Sequence, residues 1–66
     1  MNFEDYILDI YNKEILSHIE CETLKKIYQN QNKDLIAVKR FLKNNFSDIT
    51  SSRLINEIEI YEFKGV

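Results

Sequence analysis

The chain contains no proline, and its single glycine, Gly65, is the penultimate residue. Proline and glycine interrupt helices more strongly than any other residue, so helical segments are allowed almost everywhere along this sequence. Turns that need a positive φ are then expected at asparagine, which tolerates that conformation better than most residues. Loops are therefore predicted at the asparagine clusters Asn30/Asn32 and Asn44/Asn45.

The chain has 66 residues, which is enough for one small domain, 1–66, with a marginal core. Domains of this size usually need a disulfide, a structural metal ion or a partner subunit for stability. Cys21 is the only cysteine, so it has no partner for an intramolecular disulfide. Together with His18 it supplies only two of the roughly four ligands that a structural zinc ion takes. We therefore predict no metal, and a homodimer as the source of additional stability.

The net charge is −2, whereas DNA-binding domains usually carry a basic surplus. The distribution is uneven, because residues 33–53 hold five basic and two acidic residues between two acidic ends. The start of the chain lacks the pattern of a signal peptide, and no apolar run approaches the length of a membrane span. The expected location is cytoplasmic, in a bacterium or, for a phage protein, in its host cell.

The first helix is predicted to begin at Phe3, capped by Asn2 with Asp5 three residues later. Its apolar residues cover far more than the single stripe that packing on one neighbour requires. The set comprises Phe3, Tyr6, Ile7, Leu8, Ile10, Tyr11, Ile15 and Ile19. We infer that this helix contacts both its own core and another molecule.

"SHIE" at 17–20 matches a capping box and predicts a second helix after a break near Leu16. One continuous helix over 3–29 is the alternative. A third helix is predicted over 33–44, followed by a loop that Phe46 and Ile49 anchor to the core. Its buried stripe consists of Leu35, Val38, Phe41 and Leu42, and its opposite side carries Lys39, Arg40 and Lys43.

The last segment is predicted to be helical from about Thr50, with Leu54, Ile58 and Tyr61 on one face. Ile60 and Phe63 lie nearly opposite, so the segment is apolar on two sides. "EIEIYEF" also alternates in part, and a short strand over residues 58–64 is the alternative. The fold class predicted is an all-α domain of three to four helices.

Residues 50–66 resemble the recognition helix of winged helix-turn-helix regulators. In that family a polar helix start is followed by spaced apolar residues, an acidic residue, a glycine and an aliphatic residue. The matching residues are Leu54, Ile58, Tyr61, Glu62, Gly65 and Val66. The resemblance implies that residues 35–44 support this helix. It also implies DNA contacts from Thr50, Ser51, Ser52, Arg53 and Asn56. The basic stripe Lys39, Arg40 and Lys43 would add phosphate contacts. A solvated helix face is the alternative for this stripe, and a patch that binds an acidic protein surface is another.

The sequence departs from that family in two ways. The β-wing should follow Gly65, yet the sequence stops at Val66, so only a wingless variant is expected. Glu57 and Glu59 also place acidic groups where phosphates would lie. A wingless DNA-binding repressor is therefore the second functional hypothesis, and a self-associating structural or assembly component is the third.

The leading hypothesis is a small regulatory protein that binds another protein as an inhibitor, antirepressor or adaptor. Tyrosine and phenylalanine are enriched at protein interfaces, although most of them here are expected in the core. The predicted protein-interface residues are Leu8, Tyr11, Ile15, Ile60 and Phe63. No nucleophile motif, phosphate-binding loop or metal motif occurs, so neither an enzyme, a cofactor nor a small-molecule substrate is expected.

Overall fold

A computed structural model describes residues 2–64 of the chain, and in these residues it contains four α-helices and no strand. The helices are α1 (Phe3–Asn12), α2 (His18–Asn30), α3 (Leu35–Asn45) and α4 (Asp48–Phe63). The predicted all-α class is confirmed. None of these four helices combines the length and the apolar composition that crossing a bilayer would require.

The first two helices begin at the predicted caps. The Asn2 side chain accepts a hydrogen bond from the Asp5 backbone N–H at 2.8 Å. Ser17 and Glu20 form a complete capping box, in which the Ser17 Oγ accepts from the Glu20 N–H and the Glu20 carboxylate accepts from the Ser17 N–H. These bonds satisfy backbone donors that a helix start leaves without a partner.

The last two helices begin at Asp34 and Ser47, two caps that were not predicted. The Asp34 carboxylate accepts from the N–H groups of Ile36 and Ala37, and Ser47 accepts from the Thr50 N–H. Helix α3 therefore starts at Leu35 rather than at residue 33, and α4 starts at Asp48 rather than at residue 50.

The turns use positive φ at Glu14 (59°), Asn32 (57°) and Lys33 (61°). The turn over 13–17 separates α1 from α2, so the alternative of one helix over 3–29 is wrong. Asn32 confirms the expectation for the first asparagine cluster. The expectation for Asn44 and Asn45 is wrong, because both lie inside α3.

The chain leaves α3 through an extended Phe46 (φ −128°) rather than through a left-handed asparagine. The physical reason lies in the contacts of the last turn of α3. Phe46 packs against the core beside Phe41, with ring centroids 6.5 Å apart, and the Asn45 amide donates to the Phe41 carbonyl at 2.9 Å. Ile49 does not share this anchoring role, since it is 77% exposed.

The core lies between the inward faces of all four helices, each of which packs against the next along the chain. Helix α1 also contacts α4 through aromatic rings, with Phe3 at 5.0 Å and Tyr6 at 5.3 Å from the Tyr61 centroid. The side chains buried most completely are Phe3, Ile10, Leu24, Val38, Leu42, Leu54 and Ile58.

The strand alternative for residues 58–64 is wrong, because α4 is helical through Phe63. Alternation would place Ile58 and Ile60 on the same side of a strand. In the helix Ile58 is fully buried and Ile60 is 36% exposed. The segment is helical and not a strand because the helical period directs Leu54, Ile58 and Tyr61 together toward the other helices.

Candidate interaction surfaces

A groove between α1 and α2 contains two of the predicted protein-interface residues. Leu8 and Tyr11 project from α1 and are 58% and 42% exposed. The Tyr11 ring meets the His18 ring of α2 nearly edge-on at 5.6 Å. The groove has a volume of about 170 Å³, and it is lined by Glu4, Ile7, Leu8, Tyr11, His18, Cys21, Glu22 and Lys25.

The floor of this groove is apolar and chemically inert. Ile7 and Cys21 are 4% and 5% exposed. Burial raises the pKa of the Cys21 thiol, with smaller contributions from the charges of Glu20 and Glu22. The neutral thiol is therefore favoured, and it behaves as a small packing group rather than as a nucleophile.

The other predicted protein-interface residues lie elsewhere. Ile15 is 47% exposed in the turn after α1, and Ile60 and Phe63 are on α4. Helix α4 meets α1 along Phe3 and Tyr6, and Tyr6 lies roughly 160° around α1 from Leu8 at 100° per residue. The five residues therefore do not form one continuous surface.

The predicted DNA-binding residues largely converge on a second groove, between α3 and α4. Two adjoining hollows of about 370 and 410 Å³ share Lys43, Ile55 and Glu59 in their walls. The predicted residues that line them are Lys39, Arg40, Lys43, Ser51, Ser52 and Asn56. Asp48 and Glu59 line the same hollows, so the surface carries both signs of charge.

Ser51 departs from its predicted role, since it is only 5% exposed. Its hydroxyl donates to the Asp48 carbonyl at 3.3 Å, inside the first turns of α4. The helix start turns this side chain toward the core, where a phosphate or a base edge would not reach it. Ser52 and Asn56 remain exposed.

Arg53 is directed away from the α3–α4 groove and binds α2 instead. Its Nε and Nη2 donate to the two carboxylate oxygens of Glu20 at 2.8 and 3.2 Å. This bidentate contact is the main cause that lowers the pKa of Glu20 to about 2, followed by the hydrogen bond from the Ser17 backbone. One carboxylate therefore caps α2 and also ties it to α4.

A buried polar contact that the sequence does not predict joins α1 and α4. Glu57, which was expected on the outer face, is 8% exposed and accepts a hydrogen bond from the Tyr6 hydroxyl at 3.1 Å. Burial, followed by the nearby charge of Glu57, raises the pKa of Tyr6 to about 12. The one feature of the sequence that could have indicated burial of Glu57 is its position three residues after the core residue Leu54.

Residues 2–64 contain no group of three or more histidine, cysteine, aspartate or glutamate side chains placed to hold a metal ion. No protein-family model, curated protein or solved structure matches the sequence or the fold. The two grooves are therefore the features that bear on function.

Proposed function

We propose that this chain is a small regulatory protein that binds another protein, as an inhibitor, antirepressor or adaptor, through the α1–α2 groove. The observation that carries the proposal is the position of Leu8 and Tyr11 beside an apolar floor. Most exposed apolar residues on a monomer are scattered singly and have no special role. These two are adjacent and belong to a concave surface, which is how peptide-binding grooves are built.

The groove suits one or two side chains from an amphipathic helix rather than an extended sheet edge. Helix-in-groove recognition places apolar residues of the ligand helix, spaced three or four apart, into a hydrophobic cleft between helices. A leucine-sized or phenylalanine-sized side chain contributes roughly 1.5–3 kcal/mol when it becomes fully buried. Binding would act by occlusion, because the partner's helix would then be unavailable to its normal target.

Affinity capture from cells that encode the protein, with nuclease present, tests this proposal. We expect a protein partner to be retained by the wild type and lost with the double variant Leu8→Ser/Tyr11→Ser. Ile49→Ser is the matched control, because it removes an even more exposed apolar side chain, at the start of α4 and outside the groove. Retention of the same partner by all three proteins would show that the groove is not the contact surface.

DNA binding remains the second candidate, and the convergence of the predicted residues on the α3–α4 groove favours it. The charges of that groove count against it, because Asp48 and Glu59 would repel phosphates. Arg53 also already has a carboxylate partner. Gly65 and Val66, which complete the resemblance to the winged family, lie outside the described residues.

A salt titration of duplex binding decides between the two candidates. Binding by phosphate contacts would weaken by about 0.9 log unit per log unit of salt for each phosphate neutralised. We expect no specific duplex binding at physiological salt. Tight binding to a defined sequence that is lost in Arg40→Ala/Lys43→Ala but kept in Lys25→Ala/Lys26→Ala would establish the second candidate.

A further inference from the structure

The charged side chains of the α3–α4 groove are sorted by helix. The α3 side carries Lys39, Arg40 and Lys43, whereas the α4 side carries Asp48, Glu59 and Glu62. Between the two rows lies an apolar floor at Ile55, which is 9% exposed, and Ile36 stands at the rim with 66% exposure. The surface is therefore a charge-sorted groove with an apolar centre.

One pair of these charges is neutralised within the chain, since Lys39 Nζ lies 2.8 Å from Glu62 Oε1. Within residues 2–64, Arg40, Lys43, Asp48 and Glu59 form no ion pair. All four side chains are exposed. Two positive groups thus remain on the α3 side and two negative groups on the α4 side.

This charge arrangement selects the kind of surface that can cover the groove. A polyanion in the groove would be repelled by the two carboxylates of the α4 side. A polycation would be repelled by Arg40 and Lys43 of the α3 side. An electrically complementary surface needs an acidic row opposite α3 and a basic row opposite α4. The same groove of a second copy, turned by a two-fold rotation, presents those rows in that order.

We infer that two copies of this chain associate through their α3–α4 grooves about a two-fold axis, with α3 of each copy facing α4 of the other. In such an isologous interface every contact occurs twice. Arg40 and Lys43 of one copy face Asp48 and Glu59 of the second, and the exposed side chain of Ile36 becomes covered. A homodimer is also expected from the sequence, which in addition predicts contact of the first helix with another molecule; the interface proposed here leaves α1 uncovered.

The size of the groove indicates a modest affinity. At 1.5 Å per residue, α3 and α4 are about 16 and 24 Å long. Two such helices side by side form a face whose buried area in a dimer would be near the lower limit for stable interfaces. That limit is about 1,200 Å² of total buried area. The dimer is therefore expected to dissociate in the micromolar range, and its ion pairs should make association weaker at high salt.

Charge reversal combined with mixing tests this inference by sedimentation velocity at micromolar concentration. Over a concentration series that spans the micromolar range, we expect the wild type to shift from monomer to dimer. Both Arg40→Glu/Lys43→Glu and Asp48→Lys/Glu59→Lys should stay monomeric over the same series. An equimolar mixture of the two variants should again give dimers, because each reversed row then meets a row of opposite sign. Lys13→Glu/Lys26→Glu, which reverses two exposed basic residues outside both grooves, is the matched control and should dimerise like the wild type.

Circular dichroism establishes that each variant is folded. Because Asp48 lies in the first turn of α4, Glu59→Lys alone provides a second acidic-row variant that leaves the helix start unchanged. A monomeric wild type throughout the micromolar range would overturn the inference. Dimers in both reversed variants, or a mixture that stays monomeric, would also overturn it. None of these outcomes depends on the partner-binding groove, so the two proposals fail separately.

Discussion

Substitutions along α4 provide a quantitative test of how its apolar residues divide between core and surface. Ile58 is fully buried, so Ile58→Ala removes a packed side chain and should cost about 2–5 kcal/mol of unfolding free energy. A domain of 66 residues has roughly 3–10 kcal/mol in total, at 0.05–0.15 kcal/mol per residue. The variant should therefore lose a large share of its stability and be partly unfolded in buffer if the total lies near the lower limit. Phe63 is 92% exposed, and Phe63→Ser should change stability by no more than about 0.5 kcal/mol.

Urea unfolding followed by circular dichroism measures both variants on the same scale. Midpoints should fall far for Ile58→Ala and hardly at all for Phe63→Ser, with similar dependence of the free energy on urea concentration. The urea unfolding curves should be recorded at one low protein concentration, because dimerisation would add to the apparent free energy of unfolding. Equal losses in the two variants would mean that Phe63 belongs to the core, and the division of α4 into a buried and an exposed face would be refuted.

Three further predictions concern contacts between and within the helices. Glu20→Gln keeps the capping geometry but removes the charge. The wild type loses stability as Glu20 is protonated between pH 4.5 and about 2, and the variant should lose less over that range. Urea unfolding at a series of acidic pH values measures the difference. Tyr6→Phe leaves the buried Glu57 carboxylate without its donor and should cost about 1–3 kcal/mol in urea. It should also remove the stability loss that wild-type Tyr6 causes as the pH rises from 10 to about 12. Glu14→Gly should raise the unfolding free energy by roughly 0.5–1 kcal/mol, since glycine relieves a left-handed backbone at some cost in chain entropy.

The sequence predicted the features that depend on residues close together in the chain. The caps at Asn2 and Ser17 require only a side chain and a backbone group three residues apart, so their spacing identifies them. The core stripes of α3 and α4 follow from helical periodicity. The start of α4 was placed two residues late because Ser47 was not recognised as a cap.

Features that depend on which helices meet could not be predicted in the same way. Glu57 and Arg53 were both expected at the outer surface of the last helix. Glu57 is instead beside Tyr6 of α1, and Arg53 is beside Glu20 of α2. Each contact joins residues more than thirty positions apart, and helical periodicity contains no information about such pairs. The same reason explains why the five predicted protein-interface residues were not separated into different surfaces.

Exposure by itself does not decide which apolar residues bind a partner. Phe63 is the most exposed large apolar residue in the described part of the chain, but it lines neither the α1–α2 groove nor the two hollows of the α3–α4 groove. Tyr11 is less than half as exposed, yet it forms one wall of a concave site over a buried floor. A partner side chain in that site would contact atoms on several sides, whereas a partner at Phe63 would contact one flat ring. Dispersion and water exclusion both increase with the number of surrounding atoms, so the groove at Tyr11 is the stronger candidate for partner binding.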